Sequence, residues 1–174
     1  MLAALAAVLA ASGLLSRPAA AQTSSPPPSS PITLEVDARE APRKIFHSRM
    51  TIPAAPGPLT LLYPKWLPGE HGPTGPITDV AGLRITAGGK PLPWRRDPVE
   101  MYAVSVEVPA GVSQVEVGFD YLSAVSSGGF SSAASATPEL TVISWNQVLL
   151  YPRGADADHL RFAASLRLPA GWSH

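Results

Sequence analysis

Glu70 and His71 are neighbours in the chain, closely preceded by Lys65 and Trp66. Together these four carry the densest set of chemically useful side chains in the sequence. An acid and an imidazole presented at the edge of a cleft can hold a substrate amine or a neighbouring domain. The alternative is local: Glu70 caps a turn and His71 fills a slot suited to tyrosine. The residues alone leave both readings open. Tyr63 and Trp66 flank the same segment, and Trp66 reads as a residue pinning the loop from below more than as a binding platform. Other chemistries find less support. The four histidines are His47, His71, His159 and His174; no two are spaced i, i+4, and no H-E-x-x-H occurs, so no intrinsic metal site is expected. No serine lies in G-x-S-x-G, and the chain has no cysteine, so no thiol nucleophile is available. Asp97 with Glu100, and Asp156 with Asp158, read as solvated turns; they lack the longer run of oxygen ligands that a calcium loop needs. No catalytic residue is assigned.

The segment that must position these side chains runs from residue 63 to 77, Y-P-K-W-L-P-G-E-H-G-P-T-G-P-I. Pro64, Pro68, Pro73 and Pro76 lie inside it, with Gly69, Gly72 and Gly75. Each proline lacks an N–H and fixes its own φ, which rules out a helix and a central strand. Its large apolar residues rule out a polar linker. A rigid, folded loop of successive tight turns, held by its aromatics, is the expectation.

Elsewhere the hydrophobic period is two. Ile32, Leu34 and Val36 alternate with polar residues, as do Phe46, Met50 and Ile52. The same holds for Tyr102 to Val108, Val115 to Tyr121 and Leu160 to Leu168. Shorter strands are expected at 59–63, 83–87, 92–95, 140–144 and 147–151, with Gly88-Gly89 as a hairpin turn. About ten short strands separated by Pro/Gly turns predict an all-β domain, an antiparallel sandwich or an open barrel. Residues 123–138 are small and polar and read as a long surface loop, with Phe130 as a lone aromatic in its middle.

Residues 1–21 have the apolar run and the Ala19-Ala20-Ala21 ending of a signal peptide, although no basic residue precedes the run. Export to the periplasm or the extracellular space is the expectation, with no membrane span left after cleavage. Residues 22–31 form a Ser/Pro tether, and the folded domain occupies 32–174. The connection Val108-Pro-Ala-Gly-Val112 joins two strands, and Leu168-Pro-Ala-Gly-Trp172 echoes it near His174, so the domain is expected to be truncated at its C-terminal edge. Without the leader the chain carries 12 basic and 13 acidic groups and no charge run, which argues against nucleic acid as a partner.

The central loop also carries a resemblance. Trp66, Pro68 and Gly69 match the Trp-x-Pro-Gly-x-Tyr signature of the N-terminal domain of the glycyl aminopeptidase family of zinc metallopeptidases, with His71 in place of the tyrosine. The similarity continues through Asp79–Leu83, Pro93–Asp97 and Met101-Tyr102, and returns at Ser144–Pro152. It implies an all-β N-terminal domain followed in the same polypeptide by a thermolysin-like catalytic domain. That domain would hold zinc on an H-E-x-x-H helix, and a PDZ domain usually follows. The implied substrates are peptides, from which small N-terminal residues are removed. None of the zinc-binding residues has a counterpart here. The resemblance therefore implies a non-catalytic domain that packs on the catalytic domain and walls the cleft, with Tyr63, Trp66, Glu70 and His71 as the contact candidates. The competing reading is a free-standing periplasmic module that uses the same loop to bind a peptide or glycan.

Overall fold

The computed structural model describes residues 30–123 and 135–174. The expected leader, nearly all of the tether and most of the 123–138 loop, including Phe130, lie outside the described residues. Where the period-two pattern was strongest, strands form. These are β1 (Ile32–Asp37), β2 (Ile45–Pro53), β3 (Gly57–Leu62), β4 (Val80–Ala87), β5 (Lys90–Pro91), β6 (Trp94–Arg96), β7 (Ala103–Val108), β8 (Gln114–Leu122), β9 (Ser135–Ala136), β10 (Thr141–Val142), β11 (Tyr151–Pro152) and β12 (Phe162–Arg167).

Two sheets make the domain. One has the order β12-β1-β2-β8-β4-β5, the other β11-β3-β7-β6, and β9 and β10 form a separate ribbon. Every pairing is antiparallel except that of β1 with β12, which is parallel. The inward rows follow from the alternation. Ile32, Leu34 and Val36 of β1 meet Phe46, Met50 and Ile52 of β2 and Val115, Val117, Phe119 and Tyr121 of β8. Leu61, Val104, Val106 and Val108 of the second sheet close over them. Each such side chain, buried rather than exposed, contributes about 1.5–3 kcal/mol, which is why the pattern selects the pairing register. The two sheets share one core and do not close into a barrel, as the all-β expectation of a sandwich or open barrel has it. Gly88 and Gly89, with φ of 54° and 76°, make the tight turn from β4 to β5, as the two-residue hairpin requires.

One expected strand is absent. Residues 145–147 form a 3-10 turn, and of the expected 147–151 strand only Tyr151 pairs, with Pro152 completing β11. The reason is the Ser144-Trp-Asn-Gln147 sequence, in which the Gln147 side-chain oxygen accepts the Ser144 N–H at 2.9 Å. That is half of a capping box, a signature of a helical turn. The echoed Pro-Ala-Gly connections do share a turn: Val112 N–H donates to Pro109 O at 3.3 Å, and Trp172 N–H to Pro169 O at 3.2 Å.

The proline-rich loop is the crossing between the sheets. It leaves β3 of the smaller sheet at Leu62 and enters β4 of the larger one through the 3-10 turn Ile77–Asp79. The chain here must span the edge of the sandwich, and prolines supply stiffness over that span.

Candidate functional site

The loop is fastened at three levels. At its root, Tyr63 is buried at 1% exposure and its hydroxyl donates to Gln147 O at 2.9 Å. Burial pushes the phenol's pKa up, so this hydroxyl stays a donor. In the middle, Gly75 N–H donates to Lys65 O at 2.9 Å, folding the loop back on itself. The approach is close enough that a Cβ at Gly75 would stand 2.0 Å from Pro64 O. At the side, Tyr102 donates its hydroxyl to the carbonyls of Pro73 at 2.9 Å and Gly75 at 3.1 Å. Its own carbonyl accepts the Tyr63 N–H at 2.8 Å.

Tyr102 belongs to the 97–102 connection between β6 and β7, and that connection is the second wall of the site. Asp97 accepts the backbone N–H groups of Val99 at 2.8 Å and Glu100 at 2.9 Å. Those two donors hold its carboxyl below its ordinary pKa. Glu100 in turn receives Lys65 Nζ at 3.0 Å, and the Lys65 ammonium holds the Glu100 carboxyl low as well. The same ammonium lies 5.5 Å from the centre of the Tyr102 ring. Lysine, glutamate and tyrosine thus tie the two loops into one body. The ion pair is partly exposed and screened by solvent, so it contributes little by itself.

The rigid body presents apolar surface. Trp66, next to Lys65, is 62% exposed; Val99 and Met101, on either side of Glu100, are 94% and 45% exposed. This corrects the expectation that Trp66 pins the loop from below. Tyr63 and Tyr102 do that work, because a hydroxyl can satisfy backbone carbonyls that the prolines leave without strand partners. Of the four contact candidates, Tyr63 is turned inward and offers no surface. Glu70 is partly buried, with its N–H on Leu67 O at 3.1 Å, and His71 is exposed. Of the four candidates, Trp66 and His71 are therefore the exposed ones.

Sequence reasoning missed Val99 and Met101, because a single apolar residue in a turn gives no periodic signal. It also missed Trp145, 46% exposed on the turn that anchors Tyr63. A further pair, His47 Nδ1 and Asp120 Oδ1 at 2.7 Å, faces outward from the larger sheet. Only the register of β2 against β8 brings these two together. Among the described residues, no group of three or more His, Asp or Glu side chains is arranged to hold a metal ion.

Comparison with known proteins agrees with this architecture. A solved structure of an aminopeptidase N family protein from Idiomarina loihiensis superposes with a TM-score of 0.65 at 16% identity. The match covers 80% of this chain and 22% of that one, so the chain spans about a fifth of that protein's length. At that identity the likeness concerns the fold. No curated protein matches the chain. The family model described as the Peptidase M61 N-terminal domain matches residues 33–174, from the first residues of β1 to the last of the chain. The chain belongs to the N-terminal-domain family of these peptidases.

Proposed function

We propose that this domain is the non-catalytic N-terminal part of an exported zinc metalloaminopeptidase. In this reading the proline-rich loop packs on the catalytic domain and walls one side of the peptide-binding cleft. The observation that carries the proposal is Trp66, a large apolar side chain 62% exposed on a backbone locked by tyrosine hydroxyls and a glycine contact. A side chain held rigidly loses little freedom when a partner covers it, so the cost of ordering the interface is low. Tryptophan is also among the residues that most often dominate interfaces. Val99 and Met101 extend the apolar surface on the adjoining loop. Membership of a peptidase N-terminal-domain family supports a catalytic domain as the partner.

Zinc belongs to that second domain in this reading. The described residues of this chain bring together no donor set that fits it, and no step of peptide hydrolysis is assigned to them. What this chain supplies is shape and, at Glu70 and His71, polar groups at the rim of the cleft. In this reading the loop with Glu70 and His71 faces either the catalytic domain or the free amine of a small peptide.

Two substitutions in the polypeptide that carries both domains test this. Trp66→Ala should separate the thermal transition of this domain from that of the catalytic domain and lower its midpoint. Glu70→Ala should raise KM for small peptides while leaving kcat nearly unchanged, the signature of lost ground-state binding. Unchanged kinetics with Glu70→Ala would remove its substrate role and leave a turn-capping one. If Trp66→Ala left both transitions unaltered, and the 174-residue chain alone bound peptide through Trp66, the free-standing binding module would replace the docking reading.

A further inference from the structure

The strand at one edge of the larger sheet, β12, is covered less than its neighbour. Its register sets Phe162, Ala164 and Leu166 beside Ile32, Leu34 and Val36 of β1, so these three share the inward face. The β1 residues are buried at 1% exposure. Phe162 and Leu166 pack against the same core but are only partly buried, and Ala164 is exposed. The reason is width: the larger sheet has six strands and the smaller one four. At one side the Trp94 indole of β6 donates to Leu83 O of β4 at 3.2 Å. At the other, the chain entering β11 lies over β2, where Ser48 donates its hydroxyl to Val148 O at 2.6 Å and Leu150 N–H meets Met50 Sδ at 3.2 Å. The smaller sheet thus stops short of β12.

This margin also lacks the protection the other edges have. β5 is Lys90–Pro91, β11 is Tyr151–Pro152, and β6 is three residues long. Short edges and prolines discourage further pairing. β12 has six residues, no proline and an unbroken register.

The turn that follows β12 indicates where the next element goes. Leu168-Pro-Ala-Gly-Trp172 shares its centre with Val108-Pro-Ala-Gly-Val112. In both, the glycine has positive φ, 82° at Gly171 and 79° at Gly111, and the next residue donates its N–H to the proline carbonyl. Positive φ at the third position marks a type II turn, which splays strands and does not suit a tight hairpin. The first copy accordingly takes the chain out of one sheet and into the other, from β7 to β8. The second copy leaves β12 with the same residues and the same bond.

We infer that the 168–172 turn delivers a further strand to the smaller sheet, and that this strand covers the Phe162–Ala164–Leu166 margin. The occupant is the segment of the same polypeptide that follows His174, with apolar residues on its inward face. The inference rests on the reading of this domain as part of a longer polypeptide, and not on where the proline-rich loop docks.

The test compares the 174-residue chain with that longer polypeptide. The chain has no cysteine, so Ala164→Cys puts a single thiol on the inward face and Ser165→Cys puts one on the outer face as control. The thiol at position 164 should be alkylated at least tenfold more slowly in the longer polypeptide, and the thiol at 165 at the same rate in both. A diazirine analogue of leucine at position 166 identifies the cover. Its crosslinks should fall within about ten residues after His174, the span of one strand. Equal alkylation at 164 in the two proteins would overturn the inference. So would crosslinks to more distant residues, which would make the catalytic domain the cover, or to residues before 162, which would make it this chain itself. Amide exchange adds a check without substitution. Arg161 O and Arg167 O accept from Ile32 and Ala38 of the β1 side, so the amides of Phe162, Ala164 and Leu166 point away from β1. A crossing strand leaves these three amides fast. Slowed exchange at all three with a reactive thiol at 164 would place the new strand on the edge as a hairpin and overturn the inference. An intact native mass matching a chain that ends at His174 would overturn the longer-polypeptide reading as well; a greater mass with no protection at 164 would overturn this inference alone.

Discussion

At the scale of single residues, the loop's rigidity rests on atoms that have no substitutes. Gly75 lies so close to Pro64 O that any side chain must push the backbone apart. Gly75→Ala should cost about 1–3 kcal/mol or more, as forced overpacking does, measured by denaturant unfolding. Tyr63→Phe deletes the donor to Gln147 O and leaves that carbonyl buried without its partner. A loss of about 1–3 kcal/mol is expected. An acid titration probes a different residue. The Arg39 guanidinium beside Asp37 holds that carboxyl down to about 2, below its ordinary 3.8. A carboxyl depressed in the folded state stabilises the fold above its unfolded value, and that contribution is lost as pH falls through the folded one. Wild-type stability should therefore drop between about pH 4 and pH 2, and Asp37→Asn should flatten that part of the curve. An unaltered curve would mean that Arg39 and Asp37 pair equally well in the unfolded chain, where they are only two residues apart.

At the scale of elements, legibility followed the physics that generates a repeating signal. Strands with one face buried alternate, so β1, β2, β7 and β8 were readable from their sequences. The segment 145–147 was not, because three residues of mixed polarity give no clear period, and the Ser144–Gln147 cap that settles it is a single contact. The loop of residues 63–77 was readable as rigid from its prolines. Its fastening was not, because Tyr102 lies 25 or more residues away from the carbonyls it holds, and only the fold brings it there. Trp66 was misplaced for the same reason: nothing local says which aromatic points inward. The fastening is testable as a unit. Tyr102→Phe should speed hydrogen exchange at the Gly75 and Ile77 amides, whose bonds to Lys65 O and Gly75 O depend on the loop's shape. Replacing Lys65 by methionine should have a smaller effect, since its half-exposed ion pair with Glu100 contributes little. If the two variants exchanged alike and both at the wild-type rate, the prolines alone would hold the loop.

At the scale of the whole molecule, the sandwich serves as a stiff mount. Its core sets the positions of β3, β4, β6 and β7, and the two connections between them, 63–77 and 97–102, are tied together at one end. That end carries Trp66, Val99 and Met101 in the open. An apolar surface on a rigid support is what a permanent partner covers. The chain belongs to a peptidase N-terminal-domain family, and the central claim of the proposal is that this surface faces a catalytic domain of the same polypeptide. The most direct measurement is a photo-crosslinking residue placed at position 66 of the two-domain polypeptide, with one at Glu107, on the exposed face of the smaller sheet, as control. The account predicts an intramolecular crosslink from position 66 to peptides beyond residue 174, and none from position 107. Equal yields from both positions, or crosslinks from position 66 only to other molecules, would contradict it.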